Sequence, residues 1–192
     1  MRIGLFGGTF DPPHVGHLLA ASDAIEALVL DRLVFIPAAQ QPLKAESHAS
    51  PAPDRLAMVR AMVEGDERFA VDPVEIERGG LSYTVETLRI LRQRWSGDKQ
   101  LALFLLMGAD AVATLPKWRE PEAVAALAEI VVLTRSAGSA APAGHLSGRA
   151  VGTRRVDVSS TEIRARVRAA KSIHGFVSDR VAEYIAGAGL YR

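Results

Sequence analysis

The chain has no cysteine among its 192 residues. That removes disulfides, thiolate metal sites and thiol nucleophiles together, and it suits a reducing compartment. Neither sign of charge is in excess: 23 Lys and Arg against 22 Asp and Glu leave a net charge of +1, which gives no overall field toward nucleic acid or an anionic membrane. No apolar run approaches a membrane span, and the apolar part of the opening MRIGLFGGTF is too short for a signal peptide. A soluble cytoplasmic protein is expected, with no nucleic-acid or membrane partner and with its oligomeric state, monomer or homo-oligomer, left open. Two phosphate-binding patterns are also missing, G-x-G-x-x-G and G-x-x-x-x-G-K-[ST]. Any nucleotide phosphates must be held in another way.

What is present is an alternation of short apolar runs and helical patterns in a chain long enough for one domain with its own core. RIGLFG (2–7) and RLVFIP (32–37) read as buried strands, and Leu18, Ala21, Ile25, Leu28 and Val29 recur between them at helical spacing. The pattern continues with a helix over 54–63, a strand near 69–76, a helix over 83–95 and a strand over 101–107. A helix over 120–128 and a strand over 130–133 follow. Strands alternating with helices predict an α/β protein with a doubly wound parallel sheet, in which ligands bind beyond the carboxyl ends of the strands. The Gly-, Ala- and Ser-rich stretch 136–153 has no periodicity and reads as a surface loop without assigned function. A short strand over 155–158 and helices over 160–170 and 179–186 close the chain. Residues 1–192 are thus expected to form a single domain, with 159–192 as a small helical C-terminal subdomain.

GGTFDPPHVGH (7–17) stands at the carboxyl end of the first strand. Gly7 and Gly8 let the backbone approach a ligand closely, and Pro12 and Pro13 stiffen the loop until a helix begins near Gly16 or His17. The helix N-terminus attracts phosphate, Thr9 offers a hydroxyl, and His14 and His17 offer ring N–H donors that become charge-assisted if protonated. A metal reading of Asp11, His14 and His17 is the rival; the two prolines keep Asp11 off the helical face of the histidines. VSSTEIR (158–164) carries the Ser159/Glu162 pair of a capping box. Ser160, Thr161 and Arg164 there face any anion arriving at that helix end. Lys44 ends the loop PAAQQPLK (37–44) at the same strand-end face, where a lysine can hold phosphate. Ser82 reads as an N-cap for the helix at 83, and Asp110 is open between an N-cap and a ligand group.

Gly7 to His17 resembles the G-G-T-F-D-P-x-H-x-G-H signature of the nucleotidylyltransferase superfamily, whose H-x-G-H core is His14-Val-Gly-His17. VSSTEIR resembles its I-S-S-T-x-I-R motif with Val158 in place of Ile, and 37–44 its P-x-x-x-P-x-K loop. GGLSYTVETL (79–88), GADAVATLPKW (108–118) and YIAGAGLYR (184–192) resemble one branch, the bacterial nicotinate-nucleotide adenylyltransferases. The chain departs from that branch at His174 and Gly175, where arginine and tyrosine are usual.

The resemblance implies a Rossmann-like nucleotidylyltransferase fold. It also implies transfer of AMP from ATP to nicotinate mononucleotide, with Mg²⁺ accompanying ATP and no protein-held metal. In those terms His14 and His17 are catalytic. Gly7, Gly8, Thr9, Phe10, His17, Gly108, Asp110, Ser159, Ser160, Thr161 and Arg164 bind ATP, and Lys44, Tyr83, Thr84 and Trp118 bind the second substrate. The alternatives are an adenylyltransferase for nicotinamide mononucleotide or phosphopantetheine, and a non-catalytic nucleotide-binding module. Trp118 is open between stacking on a pyridine ring and plain core.

Overall fold

The structure is a computed structural model that describes residues 1–42, 49–134 and 148–192. Its six strands form one parallel sheet: β1 (Arg2–Gly8), β2 (Arg32–Pro37), β3 (Phe69–Val71), β4 (Ala102–Gly108), β5 (Glu129–Thr134) and β6 (Arg149–Gly152). Their order, β3-β2-β1-β4-β5-β6, reverses direction between β1 and β4. Two strands that diverge there leave a crevice at their carboxyl ends, where a doubly wound sheet binds its ligand.

Side chains alternate along the strands, so the sheet feeds two cores, although the edge strand β6 contributes only Val151 to one of them. Leu33, Phe35, Phe104, Leu106, Val131 and Leu133 point to one side of the sheet. They pack there against α1 (Val15–Leu28), α2 (Ala52–Val63), α7 (Ser160–Arg168) and α8 (Asp179–Gly187). Ile3, Leu5, Val34, Ile36, Leu103, Leu105 and Val132 point the other way. That face is covered by α3 (Val74–Arg78), α4 (Thr84–Arg94), α5 (Ala109–Thr114) and α6 (Pro121–Leu127). Ile163 of α7 and Val181 and Ile185 of α8 lie in the first core with the strands.

Two strand expectations fail for local reasons. The strand expected near 69–76 stops at Val71, because the Asp72 carboxylate accepts the Val74 N–H at 3.0 Å and turns the chain into α3. The last strand is Arg149–Gly152, inside the stretch read as a loop, and not 155–158. The Arg154 N–H donates to Asp23 of α1 at 2.8 Å, which takes the chain off the sheet before residue 155. Residues 135–147 of that stretch lie outside the described residues.

Candidate active site

The H-x-G-H stretch forms the start of α1. His14 is the N-cap, with extended backbone, and His17 lies at the third helical position. The His14 N–H donates to His17 Nδ1 at 3.2 Å, so a neutral His17 carries its proton on Nε2, free to donate. The two imidazoles stack with centroids 3.7 Å apart. Gly16 makes room for this: a Cβ there would stand 3.0 Å from His14 Nδ1. Phe10 meets the His17 ring edge-on at 5.1 Å and Phe6 approaches it at 6.1 Å.

Burial lowers the His14 pKa to about 4 and that of His17 to about 3, with the neighbouring imidazole adding to the effect at His17. Both rings are therefore neutral donors near neutral pH while the site is empty, and the charge-assisted form requires an arriving anion. His14 Nδ1 is buried with no hydrogen-bond partner among the described residues. Such an atom is costly unless a ligand satisfies it.

Three tethers from the end of the chain hold the loop in front of the histidines. Ser160 Oγ donates to Pro12 O at 2.8 Å, Arg164 Nη1 to Asp11 O at 2.6 Å, and the Tyr191 hydroxyl to Asp11 Oδ1 at 2.6 Å. Arg164 also reaches Thr161 Oγ1 at 3.3 Å. Ser159 caps α7, accepting the Glu162 N–H at 3.2 Å. This set is the histidine wall. Thr9 contributes its carbonyl to a bond with Arg55. Phe10, with φ +52°, is buried beneath the loop, its ring against that of His17, and does not line the cavity between β1 and β4.

The second wall is a cavity of about 610 Å³ in the crevice between β1 and β4. Gly7, Gly8, Tyr83, Thr84, Gly108, Asp110 and Trp118 all line it, joined by Glu75, Ser82, Thr87 and Arg119. Gly8 admits no side chain, since a Cβ would come within 2.8 Å of the Phe10 ring. Tyr83 is the N-cap of α4, and the hydroxyl of Ser82 instead accepts the Ala39 N–H at 2.9 Å, which corrects the expectation that Ser82 caps this helix. Gly108 caps α5, and Asp110 lies in its first turn. Trp118 is half-buried: its face lines the cavity while Nε1 donates to Thr114 Oγ1 at 3.1 Å. Arg119 lies over the Tyr83 ring at 4.8 Å and pairs with Glu86 at 2.8 Å.

The structure thus gathers the expected residues into two groups that share the loop after β1. Lys44 lies outside the described residues. Asp11, spent on Tyr191 and on the Ser50 N–H at 3.2 Å, does not join the histidines. No group of three or more His, Asp or Glu is arranged to hold a metal ion among the described residues.

Sequence reasoning missed Arg55, Tyr191 and Glu75. Arg55 had a signal: it precedes Met58 and Val59 by three and four positions on the buried face of α2, where a charge is out of place. Glu75 accepts Thr87 Oγ1 at 2.7 Å, and its pKa is raised by burial. It was hidden by the failed strand reading, and Tyr191 has no local signal.

A parallel sheet with a switch point, two helix N-termini and an imidazole pair at its carboxyl edge defines a nucleotide-handling α/β protein. A family model described as cytidylyltransferase-like matches residues 5–166. A relative from Gemmatimonas aurantiaca named probable nicotinate-nucleotide adenylyltransferase is 54% identical, over 100% of this chain and 93% of its own. One of the same name from Thermus thermophilus is 43% identical over 100% of both chains. The chain belongs to the cytidylyltransferase-like family and, within it, to the nicotinate-nucleotide adenylyltransferases. A solved Plasmodium falciparum nicotinic acid mononucleotide adenylyltransferase complexed with NaAD shares the fold, with a TM-score of 0.77 and 14% identity over 99% of this chain and 97% of that one. No helix among the described residues is long and apolar enough to cross a membrane.

Proposed function

We propose that the protein transfers AMP from ATP to the 5′-phosphate of nicotinate mononucleotide, releasing nicotinate adenine dinucleotide and pyrophosphate. A phosphate oxygen of the mononucleotide attacks the α-phosphorus of ATP, and the bond to the oxygen bridging toward the β-phosphorus breaks. The electron pair leaves with pyrophosphate. The attacking group is already anionic, so no side chain need be activated as a nucleophile. The protein's work is alignment of two polyanions and neutralisation of the charge that grows in transfer.

The observation that carries this reading is the stacked, neutral histidine pair, with a buried unpartnered nitrogen, on the same loop whose glycines line the cavity. His17 Nε2–H and His14 would donate to the α-phosphate, whose charge raises both pKa values from their depressed state. Ser160, Thr161 and Arg164, with the N-terminus of α7 capped by Ser159, would meet the β- and γ-phosphates. Arg164 can do so with donors other than the one on Asp11 O, and Ser160 with its backbone N–H at the head of α7, so both can keep their bonds to the loop. Gly7 to Phe10 would present backbone, and Gly108 and Asp110 would hold the nucleoside, the carboxylate accepting from a ribose. Trp118 would stack on the pyridinium, while the backbone N–H groups of Tyr83 and Thr84 at the head of α4 would favour a carboxylate over a neutral amide. Lys44 completes this set as a phosphate ligand of the mononucleotide. Since the donor set does not fit a resident metal, Mg²⁺ enters as the ATP salt, as part of the substrate. The helices from residue 159 onward act as a small C-terminal part of one domain.

Pyrophosphate release by the purified protein with Mg²⁺ and ATP tests the reading. Nicotinate mononucleotide, nicotinamide mononucleotide and phosphopantetheine are offered separately and the products weighed by mass spectrometry. Turnover mainly with the first is expected. Turnover with another acceptor would keep the phosphate machinery and overturn the roles of Tyr83, Thr84 and Trp118. Silence with all three would return the protein to a non-catalytic nucleotide-binding module.

A further inference from the structure

Arg55 is among the largest fully buried side chains of the described residues, 2% exposed. Arginine is almost never so buried unless its charge is matched. Here the guanidinium is enclosed by backbone oxygens. Nε donates to Ser50 O at 2.9 Å, Nη1 to Thr9 O at 2.9 Å and to Ala38 O at 2.6 Å, and Nη2 to Ala39 O at 2.9 Å. The charge of Asp11 acts on it from farther away, against the effect of burial. A planar fork with five fixed donors can meet carbonyls from three directions at once, which a lysine ammonium at the same depth cannot.

The carbonyls belong to three different segments, and each leads to a part of the site. Thr9 is in the loop that continues through Asp11 to His14. Ala38 and Ala39 follow β2, and Ala39 N donates to Ser82 Oγ, while Ser82 N donates to Gln40 O at 2.8 Å. Ser82 immediately precedes Tyr83 and Thr84 of the cavity. Ser50 in turn gives its N–H to the Asp11 carboxylate. Arg55 itself does not line the cavity and bonds to neither histidine. Its bonds reach the loop of the histidine wall and the loop fastened to the ring wall together.

We propose that Arg55 is a positioning residue that fixes the spacing between the histidine wall and the cavity wall, and hence the distance between the two reacting phosphates. The proposal rests on the adenylyl-transfer reading. In that reading the pyridine ring rests on the cavity wall alone, while ATP reaches from the histidines to Gly108 and Asp110, so a change of spacing leaves binding of the mononucleotide alone nearly intact and most penalises the step that needs both substrates. A misplacement on the order of 1 Å between reactants costs up to about 10²-fold in rate.

The test is Arg55→Lys, which keeps the charge and loses the fork, measured beside the unaltered protein. Calorimetric binding of nicotinate mononucleotide alone should stay within about threefold, that of Mg-ATP alone, which spans both walls, should weaken by less than kcat falls, and kcat should fall by roughly 10- to 100-fold. Unchanged kcat in a folded Arg55→Lys protein overturns the proposal, and so does a loss confined to the binding of either substrate alone. Arg55→Ala is assayed in parallel with guanidinium or methylammonium added at about 30 mM, far below denaturing levels. Recovery of kcat with guanidinium and not with methylammonium supports positioning. Absence of recovery in a folded protein, or failure of both variants to fold, shows a purely structural arginine. Inactivity of the unaltered protein with both substrates would instead overturn the adenylyl-transfer reading itself, so the two failures are distinguishable.

Discussion

The two walls of the site are built on different length scales. The histidine wall is closed by bonds between residues 148, 153 and 180 positions apart, from Ser160, Arg164 and Tyr191 back to Pro12 and Asp11. The ring wall is held over shorter spans: Trp118 to Thr114, four apart, Thr87 to Glu75, twelve apart, Arg119 to Glu86, 33 apart, and Ala39 to Ser82, 43 apart. Groups that stabilise a transition state must be held before the substrates arrive, and here they form only when the whole chain has closed. The bonds that hold the ring wall stay within residues 39–119 and do not call on the last helices.

The sharpest way to break that comparison is His17→Ala. Loss of a single transition-state donor lowers kcat by roughly 10²-fold or more, about 2.7 kcal/mol, in a protein that still folds but is less stable, because the His14 N–H loses its partner. Near-normal kcat in steady-state assays would remove His17 from the mechanism.

The pH dependence of stability separates the walls next. Both histidine pKa values are held below that of the unfolded chain by burial, at about 4 and about 3. As pH falls below about 6.5, the unfolded chain therefore takes up protons that the folded one does not, and stability declines. Glu75, with its pKa raised, works in the opposite direction. Between about pH 7 and pH 5 the histidines account for a loss of roughly 1–2 kcal/mol each at most. Urea unfolding at the two pH values, compared with a His14→Gln/His17→Gln protein, measures it; equal losses in both proteins would refute the assignment.

At the ring wall, Trp118→Ala should raise KM for the pyridine nucleotide by about tenfold, close to 1.4 kcal/mol. KM for ATP should stay within about twofold, as expected for a contact made by one substrate alone. Equal damage to both substrates, or loss of folding, would mean that Trp118 serves the core, against which it also packs.

The same contrast of scale explains what the sequence reveals. The doubly wound sheet is legible because period-2 and period-3.6 patterns are local, as in β1, α1 and β2. Tyr83, Thr84, Gly108, Asp110 and Trp118, which all line one cavity, are legible through the resemblance of GGLSYTVETL and GADAVATLPKW to one branch of the family, with Asp110 also marked by its place just after a strand end. What escaped is non-local or depends on a partner: the Asp11–Tyr191 bond joins residues 180 apart. Arg55 betrays itself only as a charge on an apolar face, and its four carbonyl partners have no residue-type signature. Strand β6 lacks a long apolar run, and its edge position was invisible without β5 beside it. The sequence offers the histidines as donors, and their neutral charge state follows only from burial.

Tyr191→Phe gives the smallest and most selective effect. It deletes one oxygen at the penultimate position and leaves Asp11 Oδ1 without its 2.6 Å donor, while Asp11 Oδ2 keeps the Ser50 N–H. A half-buried bond to a carboxylate contributes about 1–2 kcal/mol, so the loss of stability should stay within that range. Arg164 and Ser160 still hold the loop backbone, so kcat should fall no more than about fivefold, and KM for the pyridine nucleotide should not move because no residue of that wall is touched. A drop in kcat as large as that of His17→Ala would mean that the loop has no redundant tether and that the chain terminus alone sets the histidine geometry. A shift in pyridine KM would mean that the two walls are not separable at Asp11, and the contrast between distant and local construction would then fail at the residue where the tethers converge.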